Sequence, residues 1–164
     1  SWERLSNSVK SKKFERIERG VYRFNQFPSS PFADLFIALL KSGPRSTLSH
    51  QTALSIYGLS DFLPGEIHVT LPRSASRRRE GIRYHTKSIT EDEITRYEGL
   101  RVATVERTLV DLFESGFDSH QLRLAAEQSF NRGLTTPKFL VQALDKRGAS
   151  SRKEFESLLG IALQ

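Results

Sequence analysis

Two short stretches constrain the fold of this chain more than any others. EIHVTLP (66–72) puts Ile67, Val69 and Leu71 on one face, and GIRYHTK (81–87) puts Ile82 and Tyr84 on one face with Arg83 and His85 on the other. Alternation with period two is the pattern of half-buried strands, so the chain must build a sheet. YEGLRVAT (97–104) is expected to supply a third strand. Around them lie segments with helical periodicity. FADLFIALLK (32–41) is an apolar helix stopped by Gly43-Pro44. In TLSHQTALSIYGL (47–59), Ser49 is a candidate N-cap, Ala53, Leu54, Ile56 and Tyr57 form the apolar face, and Gly58 ends the helix. TEDEI (90–94) reads as a short helical turn with acids near its start.

The C-terminal half is helical throughout. Thr104 caps an amphipathic helix over 105–115 with Val105, Leu109, Leu112 and Phe113 inward and Gly116 at its end. Asp118 caps the next helix, which closes at Gly133, and Pro137 sits in the first turn of a third. A last apolar-periodic helix covers SSRKEFESLLGIALQ, with no capping residue after it. The fold class is therefore α+β, a small sheet flanked by several helices. Near the start, KFERIERGVYRF (13–24) alternates about an ERG turn and reads as a β-hairpin, with Phe14, Ile17, Val21 and Phe24 inward. FPSSP (27–31) breaks the pattern, so a domain boundary is placed there, with 1–28 and 29–164 on either side.

Charge is concentrated. Residues 73–87 carry six basic side chains and one acid, and residues 1–30 carry seven bases and three acids. The remainder holds twelve bases and fifteen acids, so the chain's net +6 is confined to two segments. Such a surface suits a polyanion, and Arg pairs phosphate oxygens with a planar fork. Arg16, Arg19, Arg23, Arg73, Arg77, Arg78, Arg79, Arg83 and Lys87 are the candidate nucleic-acid contacts. The plain alternative is a solvated basic hairpin.

Other chemistries find little support. There is no Cys, so no disulfide framework or thiolate metal site. His50, His68, His85 and His120 show no i, i+4 pair, so no metal site is expected, although a cluster formed in three dimensions stays open. Ser49 and His50 are adjacent and are expected to point apart, without a nucleophile elbow. Glu66, Glu91, Asp92, Glu93 and Asp111 are the carboxylates a metal-dependent nuclease would need, but none lies in a strand Asp-x-Lys or Glu-x-Lys. Arg107 and Asp111 are spaced as a local helical ion pair worth roughly a few tenths of a kcal/mol, the alternative being that Arg107 anchors the strand-loop-helix junction or faces a ligand. No phosphate-cradling glycine motif is present, so no cofactor is expected. No apolar run suits a membrane helix, and a cytoplasmic location is expected. The absence of Met and the abrupt final helix lead to the expectation of a piece of a longer protein.

RGVYRF (19–24), SHQTAL (49–54), YGLSD (57–61), IHVTLPR (67–73), GIRYHT (81–86), EGLRVATVERTLVDL (98–112) and NRGL (131–134) carry a resemblance. Together the chain resembles the AbiEi-type antitoxins, transcriptional regulators of type IV toxin–antitoxin (abortive infection) systems. The resemblance implies an N-terminal winged helix-turn-helix followed by an antitoxin domain. Residues 1–28 would then be its remnant, a recognition-helix end over Arg4 to Lys10 and the wing, with Lys12 and Lys13 beside the wing arginines. It further implies a non-enzymatic repressor bound as a possible homodimer to inverted repeats in operator DNA. It implies a nucleotidyltransferase-like toxin as functional partner, without a need for a stable complex. RNA as the target of the arginine run stays open. So do an acidic protein partner and a nuclease-like or nucleotidyl-modifying enzyme module.

Overall fold

The computed structural model describes residues 14–24, 30–61, 64–73, 78–160 and 162–163. The proposed recognition-helix end, Lys12, Lys13, Arg77 and most of the FPSSP break lie outside the described residues. The hairpin is β1 (Phe14–Glu18) and β2 (Val21–Phe24), antiparallel, and it forms a sheet of its own. A bulge between Arg16 and Glu18 shifts its register. Ile17 is consequently exposed rather than inward, while Val21 is buried and Phe14 packs on Phe24 with ring centroids 5.1 Å apart. Its apolar side faces α1 (Ala33–Ser42) across a groove of about 370 Å³ lined by Val21, Phe24, Ala33, Phe36 and Leu40.

The main sheet has the order β5-β4-β3-β7-β6. Its strands are β3 (Thr47–Leu48), β4 (Ile67–Leu71), β5 (Ile82–Thr86), β6 (Ile94–Tyr97) and β7 (Leu100–Ala103). The central strand is only two residues long, too short to carry an alternation, so it is absent from the sequence-based expectation. It holds the halves together, antiparallel to β4 and parallel to β7. YEGLRVAT is not one strand. Glu98 (φ 48°) and Gly99 (φ 84°) turn the chain, so that β6 and β7 form a tight hairpin. Two successive positive φ angles match the right-handed twist of paired strands, which is why a turn falls inside an otherwise strand-like run.

β4 and β5 are parallel, with Ile67 opposite Ile82 and Leu71 opposite Thr86. The basic run is thus no hairpin turn. Between Leu71 and Ile82 the chain must return along the length of β4, as a parallel pairing requires. The odd positions Ile67, Val69 and Leu71, with Ile82 and Tyr84, pack under α1 together with Ala38, Leu48, Leu100 and Val102. Polar pairs pin this layer, with Ser42 Oγ 3.0 Å from the Tyr84 hydroxyl.

A second core is helical. α2 (His50–Ile56) packs on α3 (Val105–Glu114), followed by α4 (Ser119–Asn131), α5 (Pro137–Asp145) and α6 (Ala149–Leu159). Leu54, Leu109, Leu112, Leu122, Leu140, Leu144 and Phe155 are buried together. Each contributes about 1.5–3 kcal/mol of transfer free energy, so this cluster dominates the stability of the C-terminal half. The caps fall where the composition places them. Thr104 accepts from the Arg107 amide at 3.3 Å, and Asp118 accepts from the Gln121 amide at 2.8 Å. Thr90 and Glu93 make a capping box around the 3-10 turn Glu91–Glu93. Gly160 (φ 63°) gives α6 a left-handed C-cap, contrary to the expected lack of one, and Arg152 donates to the Leu163 carbonyl at 2.6 Å.

Candidate functional site

Three features stand out on this frame: exposed arginines, a buried arginine and a cluster of histidines. Arg73, Arg78, Arg79 and Arg83 are all exposed around the β4–β5 crossover, and Arg16, Arg19 and Arg23 are exposed on the hairpin. Some of the candidate contacts are engaged within the fold. Arg23 pairs with Glu15 at 2.5 Å, and Lys87 donates to Glu114 at 2.7 Å and to Asp111 at 3.4 Å. Lys87 therefore ties β5 to α3, a structural duty that its place in a charge run does not reveal. Arg83 also has a plain structural use, because charge on the edge strand β5 discourages edge-to-edge pairing.

Arg107 makes the i, i+4 ion pair with Asp111 that its spacing suggests, but inside the fold. It is 1% exposed and is among the largest fully buried side chains. Its Nε donates to Asp111 at 2.9 Å, one terminal nitrogen to Glu93 at 2.7 Å and the other to the Ser88 carbonyl at 3.0 Å. It anchors the strand-loop-helix junction by joining α3, the 3-10 turn and the segment after β5. Burial alone would raise the Glu93 pKa. The hydrogen bond from the Thr90 amide and the charges of Arg107 and Arg147 outweigh it, so the pKa lies below the usual value. Four of the five nuclease candidates are thus engaged with cations. Glu93 and Asp111 hold Arg107, Asp92 holds Lys146 at 2.5 Å, Glu91 holds Arg101 at 2.6 Å, and Glu66 stands exposed before β4.

The histidines come together across the sheet. His68 and Thr70 on β4, with Arg83 and His85 on β5, project from the face opposite α1. The parallel register sets His85 diagonally from His68, and His68 Nδ1 lies 2.9 Å from His85 Nε2. α2 begins over this face. The Ser49 amide donates to the His68 carbonyl at 3.1 Å, and the His68 amide donates to Thr52 Oγ1 at 2.8 Å. The first helical residue, His50, has φ 50°, a conformation costing about 1–3 kcal/mol outside glycine. In that conformation its ring stacks on His85, with centroids 3.5 Å apart and planes 11° apart.

Ser49 and His50 do not point apart. Ser49 Oγ lies 2.9 Å from His50 Nδ1 and accepts from Thr70 Oγ1 at 2.8 Å. Ser49 occupies the N-cap position without a side-chain cap bond, because its hydroxyl is used here instead. Being fully buried, it is not placed to attack a substrate. Burial pushes His50 down to about 2, with the neighbouring His85, His68, Lys87 and Arg107 charges adding to it. Burial, then His85 and Arg83, push His68 down to about 4. His85 is lowered by burial and Arg83, with Asp111 opposing. All three rings are therefore neutral near pH 7. One ligand nitrogen from each lies within 4.8 Å of the others, so the group has the donors and the closeness to hold a metal ion. His120 is exposed and outside the cluster. The sequence expectation of no metal site rested on spacing within one element, which is silent about groups assembled between strands.

Residues 46–161, well over half of the chain, match the AbiEi antitoxin C-terminal domain family. The chain belongs to this family. The matched span takes in the whole five-stranded sheet, the histidine cluster and the helical core. It starts after the hairpin, so the hairpin arginines lie outside it and the crossover arginines inside it. An AbiEi antitoxin domain supports an antitoxin role within a toxin–antitoxin system. Comparison with curated proteins gives no match. Among the described residues, no helix is long and apolar enough to cross a membrane.

Proposed function

We propose that this chain is the antitoxin and DNA-binding transcriptional repressor of a type IV toxin–antitoxin operon used in phage defence. The family match over residues 46–161 carries the reading. The exposed arginines of the crossover and hairpin support it as sites for phosphate contact. In this reading residues 1–28 belong to a winged helix-turn-helix whose wing is β1–β2, and 29–164 form the antitoxin domain. The wing touches phosphate or the minor groove and adds affinity, while base reading belongs to the recognition helix. The functional partner is a nucleotidyltransferase-like toxin, countered without a stable complex. The site of action is the cytoplasm, on inverted repeats in the operator, with a homodimer matching their symmetry.

The test has two arms. Co-expression with the toxin encoded beside it should restore growth. Binding to the promoter duplex and to random duplex, at one fixed salt concentration, should show charge-driven affinity. This chain should show little preference between them, and a longer protein carrying a whole winged helix-turn-helix should prefer the promoter by about 10³-fold or more, the low end of specific recognition. No growth rescue would remove the antitoxin reading, and no DNA binding by either protein would remove the repressor reading.

A further inference from the structure

We infer that His50, His68 and His85 form a binding site for a divalent first-row transition metal ion, Zn²⁺ above all. The inference is independent of whether the chain represses an operon. Its donor set is three imidazoles whose ligand nitrogens lie within 4.8 Å of one another, drawn from α2, β4 and β5. Imidazole suits Zn²⁺, and three histidines with an open fourth position form an established Zn²⁺ geometry, with Zn–N near about 2.0–2.1 Å. Here the open position falls on a cavity of about 340 Å³ lined by the three histidines, Gln51, Arg83 and Ser115 to Asp118.

Two buried atoms have no hydrogen-bond partner among the described residues at this spot, His50 Nε2 and Gln51 Oε1. A buried nitrogen without a partner is costly, and an electron-pair acceptor is the partner a neutral imidazole nitrogen lacks. The other nitrogen of His50 is held by Ser49 Oγ, which Thr70 Oγ1 in turn holds. In the tautomer a metal requires, Nδ1–H donates to Ser49 Oγ and Nε2 is presented, the outer-shell arrangement that orients a metal-bound imidazole. The left-handed φ of His50 is the backbone strain that brings the ring to this position.

Entry of the ion requires small rearrangements. The 2.9 Å hydrogen bond between His68 and His85 gives way, and its proton moves to the other nitrogen of the ring that carries it. The stacked rings of His50 and His85 tilt so that their nitrogens converge. Burial already keeps all three rings in the neutral form a metal needs. Of the nearby cations, Lys87 is paired with Asp111 and Glu114, and Arg83 is exposed and screened by solvent.

The experiment uses the full chain after dialysis against a chelator. Titration with Co²⁺ should give one equivalent of binding with the intense visible bands of a tetrahedral centre, displaced by Zn²⁺. His85→Gln and His68→Asn should each weaken Zn²⁺ binding by more than about 100-fold, beyond the range of an outer-shell change. His120→Gln should leave it unaltered. Thermal melts of the metal-free variants check folding. If a variant does not fold, ¹⁵N spectra of the wild-type imidazoles decide: Zn²⁺ should shift three histidines and leave the fourth. Absence of stoichiometric binding overturns the site. So does binding that the cluster variants leave unchanged, or a spectrum in which His120 alone shifts.

Discussion

Arg107 and Asp111 face each other at 2.9 Å with neither side chain reaching solvent. Glu93 closes the other side of the same guanidinium at 2.7 Å. Three charges of two signs thus share one buried place, held there by the packing of α3 against the segment after β5. Removing the cation leaves the fully buried Asp111 with only the longer 3.4 Å contact to Lys87, and leaves the mostly buried Glu93 with Arg147 at 3.5 Å. Arg107→Ala should therefore cost roughly 3–5 kcal/mol, the loss typical of breaking a buried pair from one side. Arg107→Lys should recover only part, since one ammonium cannot reproduce the forked contacts. Urea unfolding followed by circular dichroism measures both. A cost below about 1 kcal/mol for the Ala variant, the scale of an exposed ion pair, would show that the carboxylates find other partners.

Acid should weaken the metal-free protein earlier than its carboxylates require. The folded pKa values of His50, His68 and His85 all lie below the unfolded 6.5. As the pH drops, the unfolded chain takes up protons first, and the folded state loses ground. Stability from this cluster is complete above about 6.5 and falls below it. The His68 share is spent near pH 4, while the His50 share declines on towards 2. Glu93 adds a later loss below its ordinary 4.5. Urea midpoints at a series of pH values in chelator report this, and a flat profile from neutral pH down to about 5 would contradict it.

Nucleic-acid affinity should depend on the crossover. Replacing Arg78 and Arg79 with Ala should weaken duplex binding alike for all sequences. It should flatten the salt slope by roughly 0.9 for each phosphate that is no longer neutralised. Both side chains are exposed, so folding should be untouched. Fluorescence anisotropy across a salt series tests the expectation, and an unchanged slope would assign the run to another partner.

The Glu98–Gly99 turn offers a test of local geometry. Gly99→Ala puts a Cβ at φ 84°, which should cost about 1–2 kcal/mol. Glu98→Asn should stabilise slightly, because Asn tolerates the left-handed region better than Glu. Thermal melts of the two variants should move in opposite directions. A rise in both would show that packing against Phe36, whose ring lies 3.6 Å from where a Cβ on residue 99 would sit, outweighs the backbone, and a fall in both would contradict the Glu98 expectation.

Mg²⁺ and Mn²⁺ should support no cleavage of DNA or RNA by this chain. Asp92, Glu93 and Asp111 each hold a cation of the protein itself, and Asp92 faces a different partner from the other two. Incubation of labelled duplex and tRNA with each metal checks this. Cleavage abolished by Asp111→Asn in a folded variant would overturn it.

Much of this protein is decided by local chemistry and is legible in the sequence. Alternation marked β1, β2, β4 and β5, the helical period marked α1 and α3 to α6, and Thr104, Asp118 and Pro137 signalled where three of those helices start. These signals are legible because each depends on neighbours within a few positions. What the tertiary structure alone decided is how separate elements meet. The parallel register of β4 and β5 turned an apparent basic hairpin into a crossover and set His85 beside His68. The two residues of β3 form a strand only because β4 and β7 flank them. The spacing of Arg107 and Asp111 shows their ion pair, but only packing removes its water and adds Glu93 and Ser88 to it. Ser49 and His50 read as a cap and its neighbour until a positive φ turns the ring onto β5. Hydrogen bonding and burial between distant positions have no period along the chain, so only the folded arrangement reveals them.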